Sequence, residues 1–250
     1  MRGLIAAIGF LTRVPVGTHD PLGSSAVIWF PMVGAGIGAF AGGIYAGAYQ
    51  IMPSPLAALI AVTGGVLLTG AFHEDGFADT ADALGSRLRG AQALEVMRDS
   101  RLGTYGSIAV VVSILWRVLA VGAMDPIQAF VGLVMAHTLG RTAVVVLMAT
   151  TRPARDDGLG HVGIMGVSVS GTWVAVVAGL VLAGALGGWW LVPAMMVATI
   201  GIIWLKTVSL ARFSGITGDI LGAVEQLTEL AVLTVVVVLT WSGSDVWWLR

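Results

Sequence analysis

Apolar residues run along this chain in blocks of about twenty, separated by short polar stretches rather than alternating with them. A helix rises about 1.5 Å per residue and the hydrocarbon core of a bilayer is about 30 Å thick, so a span needs roughly 20 mostly apolar residues. Seven blocks reach that length, approximately over residues 27–50, 54–72, 103–123, 127–151, 169–188, 191–209 and 220–241. The opening block, Gly3 to Leu11, is too short to span and ends at Thr12-Arg13. No small-residue cleavage site follows it, so it reads as an interfacial or re-entrant segment rather than a signal peptide. The pattern predicts an all-α integral membrane protein. A single polytopic domain over residues 1–250 would be a bundle of about seven transmembrane helices.

Composition agrees. Hydrophobic residues make up 57% and charged residues 11% of the 250 positions, and mean hydropathy is +0.92. So few charges could not cover a water-soluble domain, and so apolar a chain is not disordered. A net charge of −1 argues against nucleic-acid binding through a basic face. The absence of cysteine excludes disulfides, thiolate metal sites and cysteine nucleophiles. Lys and Arg orient the bundle. With alternating spans, ten of the thirteen fall on one side: Arg2, Arg13, Arg87, Arg89, Arg98, Arg101, Arg152, Arg155, Lys206 and Arg212. The positive-inside rule makes that side cytoplasmic. The expectation is therefore a multi-pass protein of the cell membrane whose charged loop, 73–102, faces the cytoplasm. The spacings Gly34-x-Gly36-x-Gly38 and Gly42-Gly43-x-x-x-Gly47 read as close helix packing in lipid.

Charge is concentrated as well as scarce. Residues 74–101 hold ten of the 27 charged side chains. Within them Asp75, Asp79 and Asp82 are spaced i, i+4, i+7, which puts them on one face of a helix. Three like charges with no base among them accumulate chiefly where a hard cation neutralises them, and Mg²⁺ takes oxygen ligands while leaving room for water and phosphate. Glu74 is a further ligand or a base. His73 suits magnesium poorly, and a hydrogen-bonding role is equally open to it. A second cluster runs from Met97 to Gly106. There Asp99-Ser100 is a helix cap, or Arg98 and Arg101 with the glycine-flanked backbone N–H groups form a phosphate clamp. A third runs from Arg212 through Asp219 to Glu225 and Glu229. Asp219 could cap a helix, whereas Glu225 inside an apolar helix is costly unless paired or protonated. A fourth, Arg152 to His161, reads as a surface network with a substrate contact as the alternative. Arg117, His137 and Arg141 lie within spans, where snorkelling, pairing with the acids and anion binding all remain open.

Four of these motifs together resemble the cobalamin synthase family, the adenosylcobinamide-GDP ribazoletransferases. They are Phe10-Leu-Thr-Arg13-Val-Pro15, His73-Glu-Asp75-Gly-Phe-Ala-Asp79-Thr-Ala-Asp82, Met97-Arg98-Asp99-Ser100-Arg101-Leu-Gly103-Thr104-Tyr-Gly106 and Thr217-Gly218-Asp219-Ile-Leu-Gly222-Ala. They occur in the family's order and cover the chain from end to end. The second motif resembles the CDP-alcohol phosphotransferases more loosely, since Asp79 stands near where their arginine would fall. That family is the runner-up, and a membrane transporter is the alternative from another class. At position 74 the preferred family tolerates residues other than Glu.

The resemblance implies a reaction. A hydroxyl of α-ribazole, or of its 5′-phosphate, attacks the corrinoid-side phosphorus of adenosylcobinamide-GDP. GMP leaves, and adenosylcobalamin or its 5′-phosphate forms, with Mg²⁺ required. Phosphoryl transfer asks for positioning and charge neutralisation, and the residues divide accordingly. Asp75, Asp79 and Asp82, with Glu74, are expected to hold the metal. Arg98, Ser100, Arg101, Gly103 and Thr104 are expected to hold phosphate, with Thr217 and Arg13 as further substrate contacts. Asp99 or Asp219 would take the proton or complete the metal shell. The expected partners are the two substrates and the lipid bilayer; the oligomeric state is left open.

Overall fold

A computed structural model describes residues 2–16, 24–99, 101–157, 161, 163–164 and 166–249. Among the described residues the secondary structure is helical, and one isolated parallel bridge joins Pro153 to Ile216. The helices are α1 (Arg2–Leu11), α2 (Ser24–Val27), α3 (Phe30–Ala48), α4 (Ser54–Thr69), α5 (Phe72–Gly85) and α6 (Gly90–Arg98). They continue with α7 (Thr104–Gly122), α8 (Pro126–Thr150), α9 (Val169–Gly187), α10 (Leu191–Phe213) and α11 (Gly218–Trp241). Their starts follow local chemistry. Pro31, Pro55 and Pro126 stand in the first turns of α3, α4 and α8, where the missing N–H costs nothing. Asp125 and Gln128 form a reciprocal capping box on α8. Ser168 and Thr217 cap α9 and α11 through their hydroxyls.

Among the described residues five helical stretches are long and apolar enough to cross a membrane, and α4 with α5 forms a sixth candidate bent by 89°. One of the five runs 45 residues, Val169–Phe213, about twice what a bilayer needs. It is two helices. Gly188 (φ +56°) opens a single 3₁₀ turn, Gly188–Trp190, between α9 and α10. Gly179 lies against Thr142 of α8 and Gly187 against Met135, so α9 runs antiparallel to α8. Lys206 then donates to the Thr150 carbonyl at 2.8 Å, so α10 has come back. The seven expected blocks thus correspond to α3, α4, α7, α8, α9, α10 and α11.

α8 is the axis. From Val131 to Val145 every residue is buried, and α3, α9, α10 and α11 pack around it. Gly34, Gly38 and Gly42 bring α3 onto α8; a side chain on any of them would strike His137, Leu133 or Phe130. Gly36, Gly43 and Gly47 face open space. Small-residue packing therefore falls on one stripe of the glycine-rich run.

The bend between α4 and α5 places the charged residues. Gly70 and Ala71 both adopt left-handed backbone (φ +68° and +57°). Their N–H groups return to the Leu67 and Val66 carbonyls at 3.2 and 2.9 Å, a Schellman closure of α4. The Arg13 side chain crosses over Gly70, where any Cβ would collide with it, and the Arg13 N–H donates to the Leu68 carbonyl at 2.7 Å. After the bend α5 lies across one end of the bundle. There it meets the starts of α7 and α11 and the loop after α8.

Candidate active site

Two glycines let α5 approach α11. A Cβ on Gly76 would lie 2.8 Å from the Asp219 carbonyl oxygen and 2.9 Å from its Cα; one on Gly222 would lie 3.1 Å from the His73 carbonyl oxygen. This close approach brings Asp75 and Asp219, which are far apart in sequence, into one cavity of about 270 Å³. Arg155, Asp157, His161 and Thr217 also line it, and Phe10, Leu11, Phe30, Phe72, Val144 and Met148 form its apolar side.

Asp219 sits in the first turn of α11, where the positive helix end favours negative charge. Its Oδ2 accepts the Thr217 hydroxyl at 3.0 Å and an Arg155 guanidinium N–H at 3.4 Å. Arg155 is carried by a loop pinned to the segment before α11. The Ala154 N–H donates to the Ile216 carbonyl (2.8 Å), the Ile216 N–H to the Arg152 carbonyl (3.0 Å), and the Arg152 guanidinium to the Ser214 carbonyl (2.8 Å).

The three aspartates of α5 separate along its length. Asp75 is exposed at the cavity, and Asp79 is half-buried beside it. Burial, reinforced by the charges of Asp75, Asp219 and Asp82, pushes the Asp79 carboxyl up to about 7, while Arg155 opposes the shift. Asp82, two turns on from Asp75, reaches the start of α7 instead. Its two oxygens accept the Gly103 and Gly106 N–H groups at 2.8 and 2.9 Å, which makes it a long-range cap for α7. Gly103 is accordingly the residue before α7 and Thr104 its first, exposed, residue. Among the described residues, the trio of His, Asp or Glu whose ligand atoms lie within 4.8 Å of one another is His137, Glu225 and Glu229. The aspartates of α5 do not converge that tightly.

The remaining expected site residues are scattered. Arg98 pairs with Asp157 at 2.6 Å, both side chains more than half exposed, at the rim of the cavity. Arg101 is turned to solvent and pairs with Asp99 at 2.6 Å. The hydrogen bonds from Arg101 hold the Asp99 carboxyl down at about 2, which makes it a weak proton acceptor. Ser100 lies outside the described residues. Arg13 is exposed at the bend.

Glu74 points into the bundle instead, into a buried network. Its Oε1 accepts from Arg117 (2.9 Å) and from Gln226 (3.4 Å). Gln226 also donates to Glu225 (3.0 Å) and accepts from Ser113 (3.0 Å). The Arg141 guanidinium contacts both Glu225 and Glu229 and lies 2.8 Å from His137 Nδ1. It thereby fills the space among the three residues that could otherwise have held an ion. Of the readings open for Arg117 and Arg141, pairing with the acids is the one realised.

Sequence reasoning left two parts of the cavity unassigned. Arg155 had a signal, the Arg152–His161 segment with its paired bases and acids, but that segment reads equally well as a surface network. The aromatic side had none, because Phe10, Phe30 and Phe72 come from three separate helices.

Comparison with known proteins decides the family. The pattern of the family described as cobalamin-5-phosphate synthase matches residues 3–237. The chain belongs to this family. It is 38% identical to the adenosylcobinamide-GDP ribazoletransferase of Klebsiella pneumoniae (strain 342), over 93% of this chain and 98% of that one. It is 36% identical to the protein of that name from Azorhizobium caulinodans (91% and 92% covered), and 38% identical to the one from Bradyrhizobium diazoefficiens (92% and 90%). No solved structure matches. A cobalamin synthase family match over nearly the whole chain does not favour the CDP-alcohol phosphotransferase or the transporter. Its motifs fall at the end of the bundle that carries the cavity.

Proposed function

We propose that this chain is an adenosylcobinamide-GDP ribazoletransferase acting at the cytoplasmic face of the cell membrane. It would join α-ribazole or its 5′-phosphate to adenosylcobinamide-GDP, releasing GMP and forming adenosylcobalamin or its 5′-phosphate. The observation that carries this reading is the cavity in which Asp75 and Asp219 meet beside Arg155. Ten of thirteen basic residues on the side that holds it support the orientation.

The donor set fits Mg²⁺. Asp75, Asp79 and Asp219 offer oxygen only, and their mutual repulsion is the condition a hard cation relieves. Asp75 and Asp79 would hold the ion, with Asp219 next to them. When bound, it would supply neutralisation of the diphosphate charge. The chain's own groups do the rest. Arg155 binds a phosphate oxygen, and Arg98 releases Asp157 to take another at the rim. Asp219 accepts the proton from the acceptor hydroxyl. A new O–P bond forms at the corrinoid-side phosphorus, the P–O bond to GMP breaks, and GMP departs with the bridging oxygen. Asp99, held by Arg101, is not used, and Glu74 and Asp82 act structurally.

The test is a comparison of released nucleotides. Purified full-length protein with Mg²⁺ should release GMP from adenosylcobinamide-GDP only when ribazole is present. It should release no CMP from CDP-linked alcohols. EDTA should stop the reaction and added Mg²⁺ restore it. CMP release, or GMP release that ignores EDTA, would overturn the reading.

A further inference from the structure

The cavity has two unlike sides, and only the acidic one is used above. On the other, Phe10 stacks on Phe30 (centroids 5.8 Å apart, planes 9° from parallel) and meets Phe72 edge-on (5.1 Å, 79°). Val144 and Met148, both buried, continue this surface from the axis helix. An aromatic shelf of this kind favours a flat ring, which gains offset or edge-to-face contact as well as burial. It disfavours a base with several exocyclic donors and acceptors, because those groups would be left unpaired against phenyl and aliphatic carbon.

Size is the second constraint. At about 270 Å³ the cavity lies just below the roughly 300–1,000 Å³ of sites that enclose drug-sized ligands. A nucleoside fits such a space and a corrin macrocycle with its side chains does not. Of the two substrates, the donor carries the macrocycle and a guanine rich in hydrogen-bonding groups. The acceptor carries a benzimidazole, a fused aromatic base with no exocyclic donor.

We infer that the aromatic side of the cavity is the acceptor subsite. The ribazole base lies against Phe10, Phe30 and Phe72, and its ribose hydroxyls point toward Asp75 and Asp219. The corrinoid and the guanosine remain outside the cavity mouth. This rests on the transferase reading and adds to it an order in space: acceptor inside, donor across the rim marked by Arg98 and Asp157.

Two variants test it in the full-length protein. Val144→Phe fills the cavity from the axis helix, and Phe72→Leu removes one aromatic face at a half-exposed position. Val144→Phe should raise KM for ribazole, and weaken direct ribazole binding without donor, by about tenfold. Phe72→Leu should do so by about threefold, and KM for adenosylcobinamide-GDP should stay put in both. An unchanged donor KM also shows that the variants are folded. A rise in donor KM with ribazole unaffected, or displacement of bound ribazole by GMP in the absence of donor, would overturn the assignment. If the wild type released no GMP, the transferase reading would fail. The binding measurement would still decide the subsite: ribazole bound by the wild type and lost in Val144→Phe supports it, and no binding overturns it.

Discussion

Two groups of carboxylates lie within a few turns of each other in this protein and are treated in opposite ways. In the core, Glu74, Glu225 and Glu229 are buried and meet the guanidinium groups of Arg117 and Arg141, with Gln226 and His137 completing the contacts. At the end of the bundle, Asp75, Asp79 and Asp219 lie close enough to repel one another, and among the described residues their one ion pair is the long contact of Arg155 with Asp219, 3.4 Å. The same two helices supply both groups: α5 carries Glu74 and Asp75 as neighbours, and α11 carries Asp219 and Glu225 less than two turns apart. A charge that cannot reach water must find its counter-charge within the fold. A charge at the rim can be left in deficit, and the deficit is what attracts a cation. Pairing therefore separates scaffold from chemistry here, in step with the burial of the two groups.

The comparison breaks first at the core. Arg141→Met leaves Glu225 and Glu229 buried without their main partner, and losing one member of such a pair costs about 3–5 kcal/mol. Most of the variant should fail to purify as a monodisperse species. The triple variant Arg141→Met, Glu225→Gln, Glu229→Gln should recover much of the yield, because no uncompensated charge remains. Equal yields of the single and triple variants would mean that the network is not held by charge. At the rim the outcome should invert. Asp75→Asn and Asp219→Asn should purify like the wild type and lose GMP release by about 10²–10³-fold.

Asp79 gives a smaller effect with a sign that can be checked. Its carboxyl is raised to about 7 from an unfolded value near 4, so the folded protein binds a proton more tightly than the unfolded one. Stability of the metal-free protein must then fall as pH rises from about 4 to 7, and stay low above that. In EDTA at pH 8, Asp79→Asn should melt about 2–4 °C above the wild type, a value already reduced for the exposure of the group. Adding Mg²⁺ should raise the wild-type melting temperature more than that of the variant, closing the gap. A variant that melts lower than the wild type in EDTA would show that Asp79 is not repelled.

The blocks of apolar residues made the spans legible, because membrane thickness imposes a length that no soluble core requires. The concentration of charge in 74–101 made the polar end of the bundle legible for the same reason: lipid leaves few places where charge can go. What could not be read was direction around a helix axis in three dimensions. Glu74 and Asp75 differ by one residue and by a rotation of about 100°, which sends one into the core and the other to the cavity. Nor does a spacing of i, i+4, i+7 tell how far a shared face extends past a neighbour. Asp75 reaches α11, while Asp82, two turns on, reaches α7. The partners of Arg117 and Arg141 come from other helices, and only their assembly selects pairing over snorkelling.

Asp82 is where the distinction between pairing and deficit is sharpest, and where the expected effect is smallest. It belongs to the acidic spacing that suggests a metal, yet both its oxygens are taken by backbone N–H groups at the start of α7. Asn keeps one acceptor oxygen but turns an NH2 donor toward the other N–H. If Asp82 acts as a cap, Asp82→Asn should cost about 1 kcal/mol of stability and leave GMP release within about threefold of the wild type, far from the loss in Asp75→Asn. Were Asp82 a metal ligand, the two variants would be equally inactive, and the Mg²⁺ concentration for half-maximal rate would shift in any Asp82→Asn protein that retained turnover. Measuring that concentration for Asp82→Asn beside Asp79→Asn separates the roles. The carboxylate left in deficit should shift it, and the carboxylate already satisfied by the α7 backbone should not.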